Sequence, residues 1–87
     1  MDVNKLKEII PVLIDKLQAA PEGYRTTTSK LLYDAGYALN DFEVSDLFDI
    51  HDALMSGAEK AGMTLDMSAW DNQIAGLPFN LAFILKK

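Results

Sequence analysis

Leu6, Ile9, Ile10, Leu13 and Leu17 recur at three- and four-residue intervals, so the first segment carries one apolar stripe at helical period. The spacing predicts a helix over Val3–Ala19 with Asp2 as its N-cap, ended by Ala20-Pro21-Glu22-Gly23. Pro11 falls inside this pattern, where it lacks a backbone donor and crowds the preceding turn. A kink, or a short helix abutting a second one, is expected there. A second helix is predicted over Thr28–Ala35. The run Thr26-Thr27-Thr28-Ser29 offers hydroxyl caps, Leu31, Leu32 and Ala35 supply an apolar edge, and Gly36 is a left-handed stop. The third helix starts at Asn40, which with Glu43 forms a capping-box pair, or at Ser45, and runs to Ala61 before Gly62. Its apolar side holds Leu47, Ile50, His51, Leu54, Ala58 and Ala61. Asp46, Asp49, Asp52 and Glu59 fall on the other, with Ser56 and Lys60.

Beyond Gly62 the period changes from helical to alternating. Leu65, Met67 and Ala69 alternate with Thr64, Asp66 and Ser68, and Phe79, Leu81, Phe83 and Leu85 alternate with Asn80, Ala82, Ile84 and Lys86. Pro78 suits a strand start, and Asp71–Gly76 reads as a turn. The pattern predicts a hairpin pairing Thr64–Trp70 with Phe79–Leu85. The expected fold is α+β: three helices followed by a C-terminal antiparallel β-hairpin. It forms a single domain over 1–87, divided into 1–20, 26–62 and 63–87.

The stretch Thr27-Thr28-Ser29-Lys30-Leu31-Leu32-Tyr33-Asp34-Ala35-Gly36-Tyr37, together with the order of elements, resembles the helix-turn-helix of winged-helix domains. There a short helix with two leucines ends in glycine and a recognition helix follows. The resemblance implies that residues near Asn40–Asp52 would enter the major groove and that Asp71–Gly76 would form the wing tip.

Charge argues against the DNA half of that implication. The chain has 87 residues and a net charge of −5. Between Thr26 and Gly62, seven acids (Asp34, Asp41, Glu43, Asp46, Asp49, Asp52 and Glu59) stand against Lys30 and Lys60, so the whole −5 lies there. A helix that met backbone phosphate would need Lys or Arg, because phosphate neutralisation supplies most non-specific affinity. The expected function is therefore a small non-enzymatic intracellular module that contacts another protein or a second copy of itself. The alternatives are a DNA-associated regulator of winged-helix type, or an acidic mimic of nucleic acid that fits a basic protein groove.

The remaining composition narrows the class further. No cysteine means no disulfide framework, no thiolate metal site and no cysteine nucleophile. Hydrophobic residues make up 49%, enough for a folded core, and no segment approaches the roughly 18 apolar residues of a membrane span. Lys5 and Lys7 precede no long apolar run, so a signal peptide is not expected and the cytoplasm is the expected compartment.

Candidate chemistry reads blandly. Arg25-Thr26-Thr27-Thr28-Ser29-Lys30 suits a helix cap better than a phosphate site. Asp41-Phe42-Glu43-Val44-Ser45-Asp46 with Asp49 and Asp52 lacks the glycine and the bidentate glutamate of a calcium loop. His51, the one histidine, has no second imidazole or thiol for a metal and no evident nucleophile to serve. No catalytic residue, cofactor or metal ligand is expected. Trp70, Phe79, Phe83, Tyr33 and Tyr37 are expected in core or interface, since no bases interleave with them. The partner-binding residues expected are Asp46, Asp49 and Asp52 on the acidic helix. Phe79, Leu81 and Phe83 join them, on a strand of a ribbon whose open edges invite pairing.

Overall fold

The computed structural model describes residues 1–67 and 82–87. Its elements follow in the order α1 (Val3–Ala19), β1 (Arg25–Thr27), α2 (Thr28–Asp34), a 3-10 turn (Leu39–Asp41), α3 (Val44–Lys60), β2 (Thr64–Asp66) and β3 (Ala82–Lys86). The fold is α+β, three α-helices with a small antiparallel sheet. No helix among the described residues is long and apolar enough to cross a membrane.

Helix α1 starts as expected, with Asp2 Oδ1 accepting the Asn4 N–H at 3.0 Å. It does not break at Pro11. One helix runs through that position, because Ile9, Leu13 and Leu17 are fully buried and bind both halves to the same core. Pro11 itself is exposed, so the Lys7 carbonyl it leaves without a helical donor can meet water instead.

Of the four candidate hydroxyl caps, Thr27 takes the role in α2, its Oγ1 accepting the Lys30 N–H at 2.9 Å. The helix closes at Asp34 with Ala35 as C-cap, one residue short of the expected end, and Gly36 follows at φ +93°. That is a left-handed backbone that side chains with a Cβ rarely adopt. Neither expected start of the third helix is the observed one. Asn40 lies in the 3-10 turn, and α3 opens at Val44 with Glu43 as N-cap, its N–H donating to Asp46 Oδ2 at 3.0 Å.

The predicted C-terminal hairpin needs correction. β3 pairs with β2, aligning Leu65 with Leu85, but it also pairs with β1, aligning Thr26 with Phe83, and the sheet order is β1-β3-β2. The last strand is therefore central, not one side of a ribbon with two open edges. β1 is three residues long and runs directly into the α2 cap, too short for its alternation to stand out. Its ladder is extended by Leu85 N–H to Tyr24 O at 2.8 Å and Gly23 N–H to Leu85 O at 2.9 Å. The outer parts of the predicted hairpin, Ser68–Trp70, the turn Asp71–Gly76 and Phe79–Leu81, lie outside the described residues.

One core joins sheet and helices. Phe83, Leu85 and Leu65 meet Ile9, Leu13, Leu17, Leu31, Leu32, Ile50 and Leu54 there. On the alternate row, Ile84 lies between Arg25 and Asp66 across the three strands and is also buried.

Candidate interaction surfaces

The face of α3 turned from the core carries the acids picked out in the sequence, but they do not share one environment. Asp46 is half-buried, capping α3 through Glu43, and its Oδ1 lies 3.9 Å from the Met1 amino group. Asp49 is exposed and accepts a 3.0 Å hydrogen bond from that amino group, which holds the amine's pKa above its ordinary 8.0. Asp52 is exposed and has no ion pair among the described residues. Beside them Phe48 and Val44 are 43% and 42% exposed. The sequence reading passed over both, although their place on the acidic side of the helical wheel was a usable signal. An exposed aromatic one and four residues from exposed aspartates is unsuited to a phosphate contact, which needs basic side chains.

The strand residues fare differently. Phe83 is fully buried inside this chain, so its ring serves the core and presents nothing to a partner. Phe79 and Leu81 lie outside the described residues.

A second surface, not foreseen from the sequence, is an open groove of about 410 Å³ between α1 and α3. Leu6, Ile10, Pro11, Ala53 and Gly57 make its apolar part, with Lys7, Ser56 and Lys60 around them. Gly57 explains why the helices approach so closely here. A Cβ at that position would sit 3.3 Å from Ile10 Cγ2 and from Ile14 Cδ1. A glycine inside a helical pattern was the clue available beforehand. Another open hollow, of about 480 Å³, lies at the α2 exit, lined by Tyr33, Gly36, Tyr37, Ala38, Leu39 and Asn40.

His51 is 4% exposed and ties three elements together. Its Nδ1 lies 2.9 Å from Thr28 Oγ1 at the start of α2, and its Nε2 lies 3.1 Å from Met67 Sδ just after β2. A thioether sulfur can only accept, so the neutral ring carries its proton on Nε2 and takes the Thr28 hydroxyl proton at Nδ1. Both nitrogens are thus engaged. Burial lowers the ring's pKa below 6.5, against a smaller upward pull from Asp52. Well above pH 6.5 the ring is mostly neutral whether the chain is folded or not. As the pH falls below 6.5 the unfolded ring protonates first, so stability drops until the folded ring also titrates. Denaturant midpoints taken at about pH 7.5 and about pH 5.5 are expected to fall for the native chain and to fall less for His51→Gln. Equal falls in both would remove His51 as the cause.

The other motifs are consumed internally. Thr27 caps α2, Thr28 binds His51, and Thr26 Oγ1 lies 3.4 Å from the Thr27 carbonyl, so all three threonine hydroxyls of the Arg25–Lys30 run have internal partners. Among the described residues no group of three or more His, Cys, Asp or Glu side chains is placed to hold a metal ion. Compared with models of known families, with curated proteins and with solved structures, the chain gives no match.

Proposed function

We propose that this chain is a non-enzymatic protein-interaction module on a winged-helix scaffold, and that α3 makes the contact. The succession of α1, then α2 and α3 across a short turn, then β2 paired with β3 agrees with the resemblance in the sequence and supports the scaffold reading. The observation that carries the functional reading is the exposed pair Phe48 and Val44 beside Asp49 and Asp52. Aromatic anchors in interface centres carry a disproportionate share of binding energy, and charged rims set the choice of partner. The partner's complementary surface is basic around an apolar pocket. Duplex DNA is disfavoured, because Asp41, Glu43, Asp46, Asp49, Asp52 and Glu59 face Lys60 alone along α3 and its approach.

Two measurements test this. Random duplex DNA titrated at about 50 mM salt, where phosphate contacts are strongest, is expected to give no anisotropy change. Binding that weakens steeply with salt would favour the DNA regulator instead. Affinity capture from the source cell, compared between the native chain and Phe48→Ser or Asp52→Asn, is expected to recover a basic protein that both variants lose. Retention by both variants would remove α3 as the contact. Asp46→Asn is a poor choice for this comparison, because it also disturbs the α3 cap.

A further inference from the structure

We propose that the partner of the α3 face is a second copy of this chain, with the two α3 helices antiparallel and each acidic end set against the other copy's lysine-flanked groove. This rests on the reading of α3 as a protein contact and goes beyond it by naming the occupant. Along α3, Asp49, Asp52, Ser56 and Lys60 follow at spacings of three, four and four residues, so they form one exposed stripe. The stripe is acidic in its N-terminal half and ends on a lysine. Across the groove from Lys60 stands Lys7 of α1. Neither lysine has an ion pair among the described residues, and Asp52 has none either.

Two such stripes laid parallel would oppose acid with acid. Laid antiparallel, they bring Asp49 and Asp52 of each copy to the Ser56, Lys60 and Lys7 end of the other. The same contact then forms twice about a two-fold axis. The small residues Ala53 and Ser56 at the centre leave room for close approach. Asp49 already holds the Met1 amine, so Asp52 is the carboxylate free to reach across. Glu59, at the same end of α3, does not line the groove.

The test is a charge exchange read by sedimentation velocity. At high micromolar concentration the native chain is expected to sediment as a dimer that dissociates as salt rises. Lys7→Glu with Lys60→Glu makes both faces acidic, and Asp49→Lys with Asp52→Lys makes both basic, so each double variant alone is expected to be monomeric. Mixed in equal amounts, they are expected to recover a dimer, because every opposed pair is again unlike in sign. All four residues are exposed, and circular dichroism of each variant before mixing checks that it is folded. A monomeric native chain, or folded variants that do not associate when mixed, overturns the proposal. A monomeric native chain that still captures a Phe48-dependent partner would sink the second copy as occupant while leaving the α3 contact standing.

Discussion

Replacing Phe83 with Ala is expected to lower the unfolding free energy by about 3–5 kcal/mol. The ring is fully buried on the central strand, with its centroid 6.4 Å from that of His51. Its neighbours in the core come from all three helices and from β2. Truncation therefore leaves a cavity where the sheet meets the helices, and no single element can collapse into it. The size of the domain makes this severe. At roughly 0.05–0.15 kcal/mol per residue, a chain of this length has about 4–13 kcal/mol in total. Phe83→Ala removes roughly a quarter of that at the least, and at the low end all of it. Urea unfolding followed by far-ultraviolet circular dichroism checks it. An unfolding free energy within about 1 kcal/mol of the native value would mean that the ring is not part of the core. The same experiment separates the two roles this residue has been given. A partner contact would change binding and leave the midpoint alone, whereas a core residue changes the midpoint first.

The second large effect has the opposite sign. Pro11→Ala is expected to stabilise the chain by about 2 kcal/mol. An interior proline costs a helix about 3 kcal/mol relative to alanine, and the greater freedom of the unfolded alanine chain returns about 0.4–1 of it. Pro11 is exposed, so little packing is lost on substitution, and the new N–H can donate to the Lys7 carbonyl four residues earlier. For a domain of this size the shift corresponds to roughly 10 °C in Tm. An unchanged or lower Tm would show that α1 has already relaxed around the ring and is not strained by it. Pro11 also lines the α1–α3 groove, so a proline kept there at a cost in stability is consistent with a groove whose shape matters.

The sequence and the structure agree best where the information is local. The apolar stripe of α1, its Asp2 cap, the Leu31-Leu32 edge of α2, Gly36 and the core side of α3 were all legible, because each depends on residues within a turn or two of one another. The α3 start was misplaced for an equally local reason. Asn40, Glu43 and Ser45 all have cap-forming chemistry, and the choice fell to Glu43 only because Asp46 could answer it. Asp49 and Asp52 were correctly read as exposed. That Asp46 is half-consumed by the cap, and that Phe48 and Val44 stand exposed beside the acids, depends on how α3 is rotated against the core.

By itself, then, the sequence determined the helices, the change of period after Gly62, the α+β class and the placement of the whole −5 on the central segment. Hydrogen-bond caps and side-chain periodicity act over short distances and leave their mark in short windows. Only the tertiary structure decided that β1 exists, that β3 lies between β1 and β2, that Phe83 faces inward, and that His51 is held by Thr28 and Met67. Each of these joins residues far apart in the chain. A three-residue strand is stabilised by the partner it pairs with, not by its own pattern. The α1–α3 groove has the same origin, since its apolar walls and two lysines come from helices that meet only when the core is packed.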